Sequence, residues 1–177
     1  MRNLATTALA AALLVAGCSG GGSENDADVA FVQGMAPHHE QAVEMADLVD
    51  DATGVSPELT ALAARIEDAQ EPEIDQMEEW LDDWDVADSD DHASMEGMDH
   101  GSMSGMMSSG DLTALAELDG PAFEQRWLTM MIEHHRGAVE AAETVVADGS
   151  DPDVRALAEQ IVASQSAEIS EMEGLLS

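Results

Sequence analysis

The chain has no lysine, no tyrosine and a single cysteine, and its aromatic complement is three Trp and two Phe in 177 residues. A lone Cys leaves no disulfide, no thiolate zinc site and no redox pair of cysteines. Basic side chains number five, all arginine, against 38 acidic ones, for a formal charge of −33. Such a balance argues against nucleic acid, whose phosphates the protein would repel. It permits attraction of cations, although a solvated acidic surface is the commoner cause, and a salt-adapted or high-GC host would also produce it. No Glu-x-x-His spacing occurs, so the helical signature of di-iron carboxylate enzymes is missing. No nucleophile stands beside a recognisable base, and most serines lie in linker-like stretches. Oxidase and hydrolase chemistry are weakly supported.

The N-terminus reads as a targeting segment over residues 1–18. Arg2 supplies the positive end, and Leu4 to Val15 supply an apolar run too short and too Ala-rich to span a bilayer. It closes on Val15-Ala16-Gly17-Cys18, which is similar to a lipobox. In that reading Cys18 becomes the lipidated mature N-terminus, anchored on the extracytoplasmic face of the membrane. An ordinary secretory signal with an incidental Cys is the alternative. Residues 19–27, with Gly20, Gly21, Gly22 and Ser23, make a flexible tether.

What the chain does have is one pattern twice. Residues 35–49 match residues 131–145 at eight of fifteen positions, including Met35-x-x-His38-His39-x-x-Ala42-Val43-Glu44 and Met131-x-x-His134-His135-x-x-Ala138-Val139-Glu140. These copies hold four of the six histidines, and such a repeat organises everything else. On a helix, Met35, His39, Ala42, Ala46 and Val49 share one inward stripe, as do Met131, His135, Ala138, Ala142 and Val145. His38 and His134 are turned about 100° away, at the edge of the stripe.

Each copy begins a helical hairpin. Helix 1 is expected over about Asp28–Asp51, with Asp28 as N-cap and a kink at Pro37, or with a start at Pro37 itself. Ser56-Pro57 opens a second helix whose stripe carries Gln70, Glu73 and Met77. Gly120-Pro121 opens a third, and Asp151-Pro152 a fourth, carrying Gln165, Glu168 and Met172. Residues 57–77 match 152–172 at nine of twenty-one positions. Gln70, Glu73, Gln165 and Glu168 face the core and need polar partners, for which the repeat histidines are the nearest candidates.

Between the hairpins, over 85–110, periodicity fails. This Gly/Ser-rich segment holds His92, Met95, Met98, His100, Met103, Met106 and Met107. Its composition reads as disordered. Methionine normally fills cores, and a disordered segment has none to fill. Thioether and imidazole donors suit Cu(I), and by chemical similarity Ag(I). A compositionally biased linker is the alternative.

The Met-x-x-His-His-x-x-Ala motif, with an aromatic four residues before each Met (Phe31, Trp127), resembles the DUF305 family of bacterial exported proteins. So do the downstream series Gln70, Glu73, Ile74, Met77 and Gln165, Glu168, Ile169, Met172. The resemblance covers roughly residues 28–84 and 121–177. It implies an all-α, ferritin-like four-helix bundle and extracytoplasmic handling of a soft metal, usually copper. The expectation is a copper- or silver-binding lipoprotein. Its ligands would be Met35, His38, His39, Met131, His134 and His135, with the 92–107 Met/His set as a collector. A ferritin-like metal-dependent oxidase stays open, as does a surface lipoprotein that binds a protein partner without metal.

Overall fold

The computed structural model describes residues 23–86 and 103–177. The described residues form five helices and no strand: α1 (Asp26–Asp51), α2 (Pro57–Asp83), α3 (Ser109–Ala116), α4 (Gly120–Asp148) and α5 (Pro152–Leu175). The expected targeting segment with Cys18, and His92, Met95, Met98 and His100, lie outside the described residues.

Local chemistry sets the starts. The Ser56 hydroxyl accepts from the Leu59 N–H and Asp151 accepts from Asp153 and Val154, each followed by Pro at the first helical position. α1 begins earlier than expected. Asn25, not Asp28, is its N-cap, and Asp28 closes a capping box by accepting from the Asn25 N–H. α1 runs unbroken through Pro37, so a helix starting at Pro37 is excluded. Packing on both sides outweighs the one backbone bond that Pro37 forgoes.

α1 packs along α2, and α4 along α5; the two hairpins meet where α1 crosses α4. Two apolar cores result. One joins Ala42–Val49 of α1, Leu59–Ile66 of α2, Leu112 and Leu115 of α3, Phe123–Ile132 of α4 and Met172 of α5. The other joins Phe31–Ala36 of α1, Met77 and Leu81 of α2, Ala138–Val145 of α4 and Val154–Ile161 of α5. The first half of α1 thus shares a core with the second half of α4, so the two repeat helices run antiparallel. Each fully buried Leu, Ile or Phe contributes about 1.5–3 kcal/mol. A polar layer separates the cores at mid-length: His38, His39, Gln70, His134, His135 and Gln165, all buried.

The turns are tied across the two hairpins. Asp28, fully buried, accepts through Oδ2 from the N–H groups of Asn25, Ser150 and Asp151 at 2.9, 2.9 and 3.0 Å. Asp119 accepts from the Thr53 N–H and hydroxyl at 2.8 and 2.9 Å. The Trp127 indole donates to the Met45 carbonyl at 2.6 Å. No helix among the described residues is long and apolar enough to cross a membrane.

The connection differs from expectation at its C-terminal end. Residues 103–107 are packed into place rather than structureless, and α3 begins at Ser109. Met103 lies on one core and Met107 on the other, half-buried. Apolar burial and two side-chain hydrogen bonds, described below, outweigh the Gly/Ser composition that suggested disorder.

Candidate metal centre

The site is the polar layer where α1 crosses α4. His38 and His134 meet there face to face, with ring centroids 3.7 Å apart and planes 32° from parallel. The ring centroids of His134 and His135 are 6.3 Å apart. His38 and His134 stand at the edges of their stripes, and the two edges face each other because the helices cross antiparallel, so both rings are buried, at 0% and 1% exposure.

His39 and His135 occupy matching places one position further on. His39 Nε2 lies 2.8 Å from Glu73 Oε2, and His135 Nε2 lies 2.8 Å from Glu168 Oε2. A carboxylate oxygen accepts, so in each pair Nε2 carries the shared proton. His38 Nε2 lies 3.3 Å from the Ser104 carbonyl. A carbonyl also only accepts, which sets the same tautomer. In all three rings Nδ1 is buried without a hydrogen-bond partner. His134 has no geometrically sound hydrogen bond at either ring nitrogen. Buried polar atoms are normally paired, so four rings in this condition form an unusual group.

Electrostatics keeps the pair neutral. Burial, then the charge of His39 and to a lesser degree His135, pushes His38 down from its usual 6.5 to about 3, against the opposing pull of the Ser104 carbonyl. Burial, then His38, His135 and His39, pushes His134 well below 6.5, against a weaker opposing pull of the His38 backbone carbonyl. A neutral imidazole is the form that binds a metal.

Sulfur flanks the layer. Met35 and Met77 belong to one core and Met131 and Met172 to the other, all at 0% exposure. Met35 lies one turn before His39, and Met131 one turn before His135. Gln70 and Gln165 are buried in the layer but do not bond the histidines. Both polar atoms of Gln70, and Oε1 of Gln165, lack a partner.

The C-terminal end of the segment expected to be a disordered collector covers it. Residues 103–107 lie against both repeat helices. The Gln41 amide donates to the Met107 carbonyl at 2.9 Å and accepts from the Met107 N–H at 2.6 Å. Ser104 presses on Gly137, where a Cβ would stand 1.6 Å from its carbonyl oxygen. Gly105, at φ +89°, lies over the backbone of Glu133 and His134. The Met103 thioether abuts Gly34, where a Cβ would stand 3.1 Å from Sδ. One sequence signal did point here. At the aligned place in the two copies, Gln41 faces Gly137, a change that helix periodicity does not explain.

Among the described residues, no three of His, Cys, Asp and Glu gather as a ligand group. Any ion held here would draw on thioethers beside the imidazoles.

The sequence profile of the family described as "Domain of unknown function (DUF305)" matches residues 28–176. The chain belongs to the DUF305 family. A DUF305 protein of Streptomyces coelicolor inferred to be secreted is 36% identical, with TM-score 0.74, over 85% of this chain and 91% of that one. A DUF305 fragment from Deinococcus radiodurans is 32% identical, with TM-score 0.76, over 88% and 98%. CopM in its Cu(I)-bound form is 30% identical, with TM-score 0.67, over 84% and 94%. CopM was also solved in Cu(II)-bound, Ag-bound and apo forms. Among curated proteins none matches significantly.

Proposed function

We propose that this DUF305 protein is an extracytoplasmic metal-binding lipoprotein that sequesters copper or silver between the repeat helices. The observation that carries this is the shared state of His38, His39 and His135. Each offers Nε2 to an oxygen acceptor and leaves a buried Nδ1 unpaired. A metal-bound histidine typically donates its other N–H to a carboxylate or carbonyl, which fixes the tautomer. Imidazole and thioether donors select soft ions. The relatedness to CopM, known with Cu(I), Cu(II) and Ag, supports the same reading.

In this proposal His38, His39, His134 and His135 supply nitrogen, and Met35 and Met131 supply sulfur. Glu73 and Glu168 orient the rings, while Gln70 and Gln165 line the layer. The four long helices make a ferritin-like four-helix bundle. His92, Met95, Met98, His100, Met103, Met106 and Met107 gather ions for it, and Cys18 anchors the protein to the membrane. The acidic surface raises the local cation concentration.

The test is Cu(I) and Cu(II) affinity of His39→Ala combined with His135→Ala. A large loss is expected, and unchanged affinity for both ions would defeat the bundle site. Leu in place of the five methionines from Met95 to Met107 should lower Cu(I) capacity more than Cu(II) capacity. Equal Cu(I) stoichiometry would defeat the gathering role. Mass spectrometry of membrane-extracted protein should find a diacylglyceryl adduct on Cys18, and an unmodified Cys18 would remove the anchor.

A further inference from the structure

Three of the four histidines have an Nε2 acceptor. For His39 and His135 it is a carboxylate from the same hairpin, Glu73 or Glu168. For His38 it is a backbone carbonyl from a segment 66 residues away. Whatever holds that segment in place therefore decides the state of His38. α3 is packed on α4 beyond it. Among the described residues, the side-chain hydrogen bonds that reach residues 103–107 from the repeat helices come from His38 and Gln41. Two of them belong to the Gln41 amide. It closes a two-bond ring on the Met107 backbone, at 2.9 and 2.6 Å. Both Gln41 atoms engage one residue, so the side chain fixes the position and the direction of the chain together.

We infer that Gln41 is a positioning residue for the metal site: by gripping Met107 it seats the 103–107 strap, which sets the His38 tautomer and brings the Met103 thioether to the crossing of α1 and α4. This rests on the metal reading above for its purpose, but not for its geometry. Gly34 and His38 are one turn apart on α1, and Met103 packs on Gly34. The strap thus runs from Gly34 to Gln41 with His38 beneath it. Gly137 leaves room for the Ser104 carbonyl on the α4 side. The ligand class is a soft monovalent cation, served by neutral nitrogen and thioether sulfur.

Gln41 does not touch the ion in this scheme. Its removal leaves Met35, Met131 and every histidine in place, and should act only through the strap. Two variants reach the strap by different routes. Gln41→Ala removes the grip. Gly137→Ala drives a methyl group into the Ser104 carbonyl while adding a residue that favours helix.

The experiment compares wild type, Gln41→Ala and Gly137→Ala as full chains, first without metal. Long-range ¹H–¹⁵N spectra of the imidazoles report tautomers, and the Met103 methyl resonance reports docking. Wild type should show His38 as a single Nε2–H tautomer and a dispersed Met103 methyl. Both variants should show mixed His38 tautomers and a Met103 methyl near its random-coil position, with the His39 and His135 tautomers unchanged. Ag(I), as a redox-inert probe, should then bind about tenfold more weakly, the scale of losing one orienting contact. A His38 tautomer and Met103 methyl unchanged in Gln41→Ala would overturn the inference. So would an undocked strap with unaltered Ag(I) affinity. Wild type that takes no Ag(I) would defeat the metal reading alone, because the metal-free spectra still decide whether Gln41 seats the strap.

Discussion

His134 is a place where apo stability and function should oppose each other. Its ring is 1% exposed, both its nitrogens lack hydrogen-bond partners, and its pKa lies well below 6.5. An unmet buried polar group costs about 1–3 kcal/mol. Leucine is close in volume and has no such group. The substitution His134→Leu forfeits the ring contact with His38 at 3.7 Å, worth about 0.5–1.5 kcal/mol. It also brings about 1 kcal/mol of imperfect fit. With two nitrogens relieved, the midpoint of these terms favours the variant by about 2 kcal/mol. For a chain of this size that raises Tm by about 4–8 °C. The assay is thermal unfolding of metal-free protein at pH 7.5, followed with and without Ag(I). The variant should melt higher without metal and gain less from Ag(I) than wild type, since stabilisation follows affinity. A metal-free Tm lowered by about 3 °C or more would refute the reasoning, because it would mean the ring nitrogens are satisfied in the native state.

The remaining expectations concern pH, orientation and the turns. Unfolded His38 takes a proton below about 6.5, whereas folded His38 resists until about 3. Metal-free stability therefore falls as pH drops through that window, by about 1 kcal/mol per pH unit from His38, and His134 acts in the same direction. Denaturant titrations at pH 7.5 and 5 should show this fall, and His38→Leu with His134→Leu should flatten it; an undiminished slope contradicts the assignment. Glu73→Gln with Glu168→Gln keeps an acceptor for each Nε2–H but removes the charge. Copper affinity in chelator competition should drop about 10- to 100-fold with an intact fold, and wild-type affinity would show that the carboxylates do not orient ligands. Asp28→Ala strips the acceptor from three backbone N–H groups and should cost about 2–4 kcal/mol in chemical unfolding. A loss under about 0.5 kcal/mol would mean water replaces the carboxylate.

Much of the helical order was legible because its signals are local. Ser56-Pro57 and Asp151-Pro152 announce helix starts within a few residues, and the Met35–His39–Ala42 stripe repeats at 131–138. The His39–Glu73 and His135–Glu168 pairs were within reach of the same logic, since stripe residues on two helices of one hairpin must meet. The burial and mutual contact of His38 and His134 were not legible, because their surroundings come from the other hairpin and the periodicity of one helix carries no information about a crossing. The strap was missed for a related reason. Residues 103–107 have no periodicity of their own, and their order comes from Gln41, Gly34 and Gly137, which are distant in sequence. Asn25 was overlooked because Asp28, also a good cap, stands three residues later and serves in the same capping box.

The two halves are no longer interchangeable. Where the first copy extends an amide at Gln41, the second is bare at Gly137, and one crossing peptide needs both. A chain built from two first halves would have two hands and nowhere to lay the peptide; one built from two second halves would have two beds and no hand. The duplicated pattern thus carries a division of labour. Shuffling the hairpins should preserve helices while losing the cover that makes one side of the waist unlike the other.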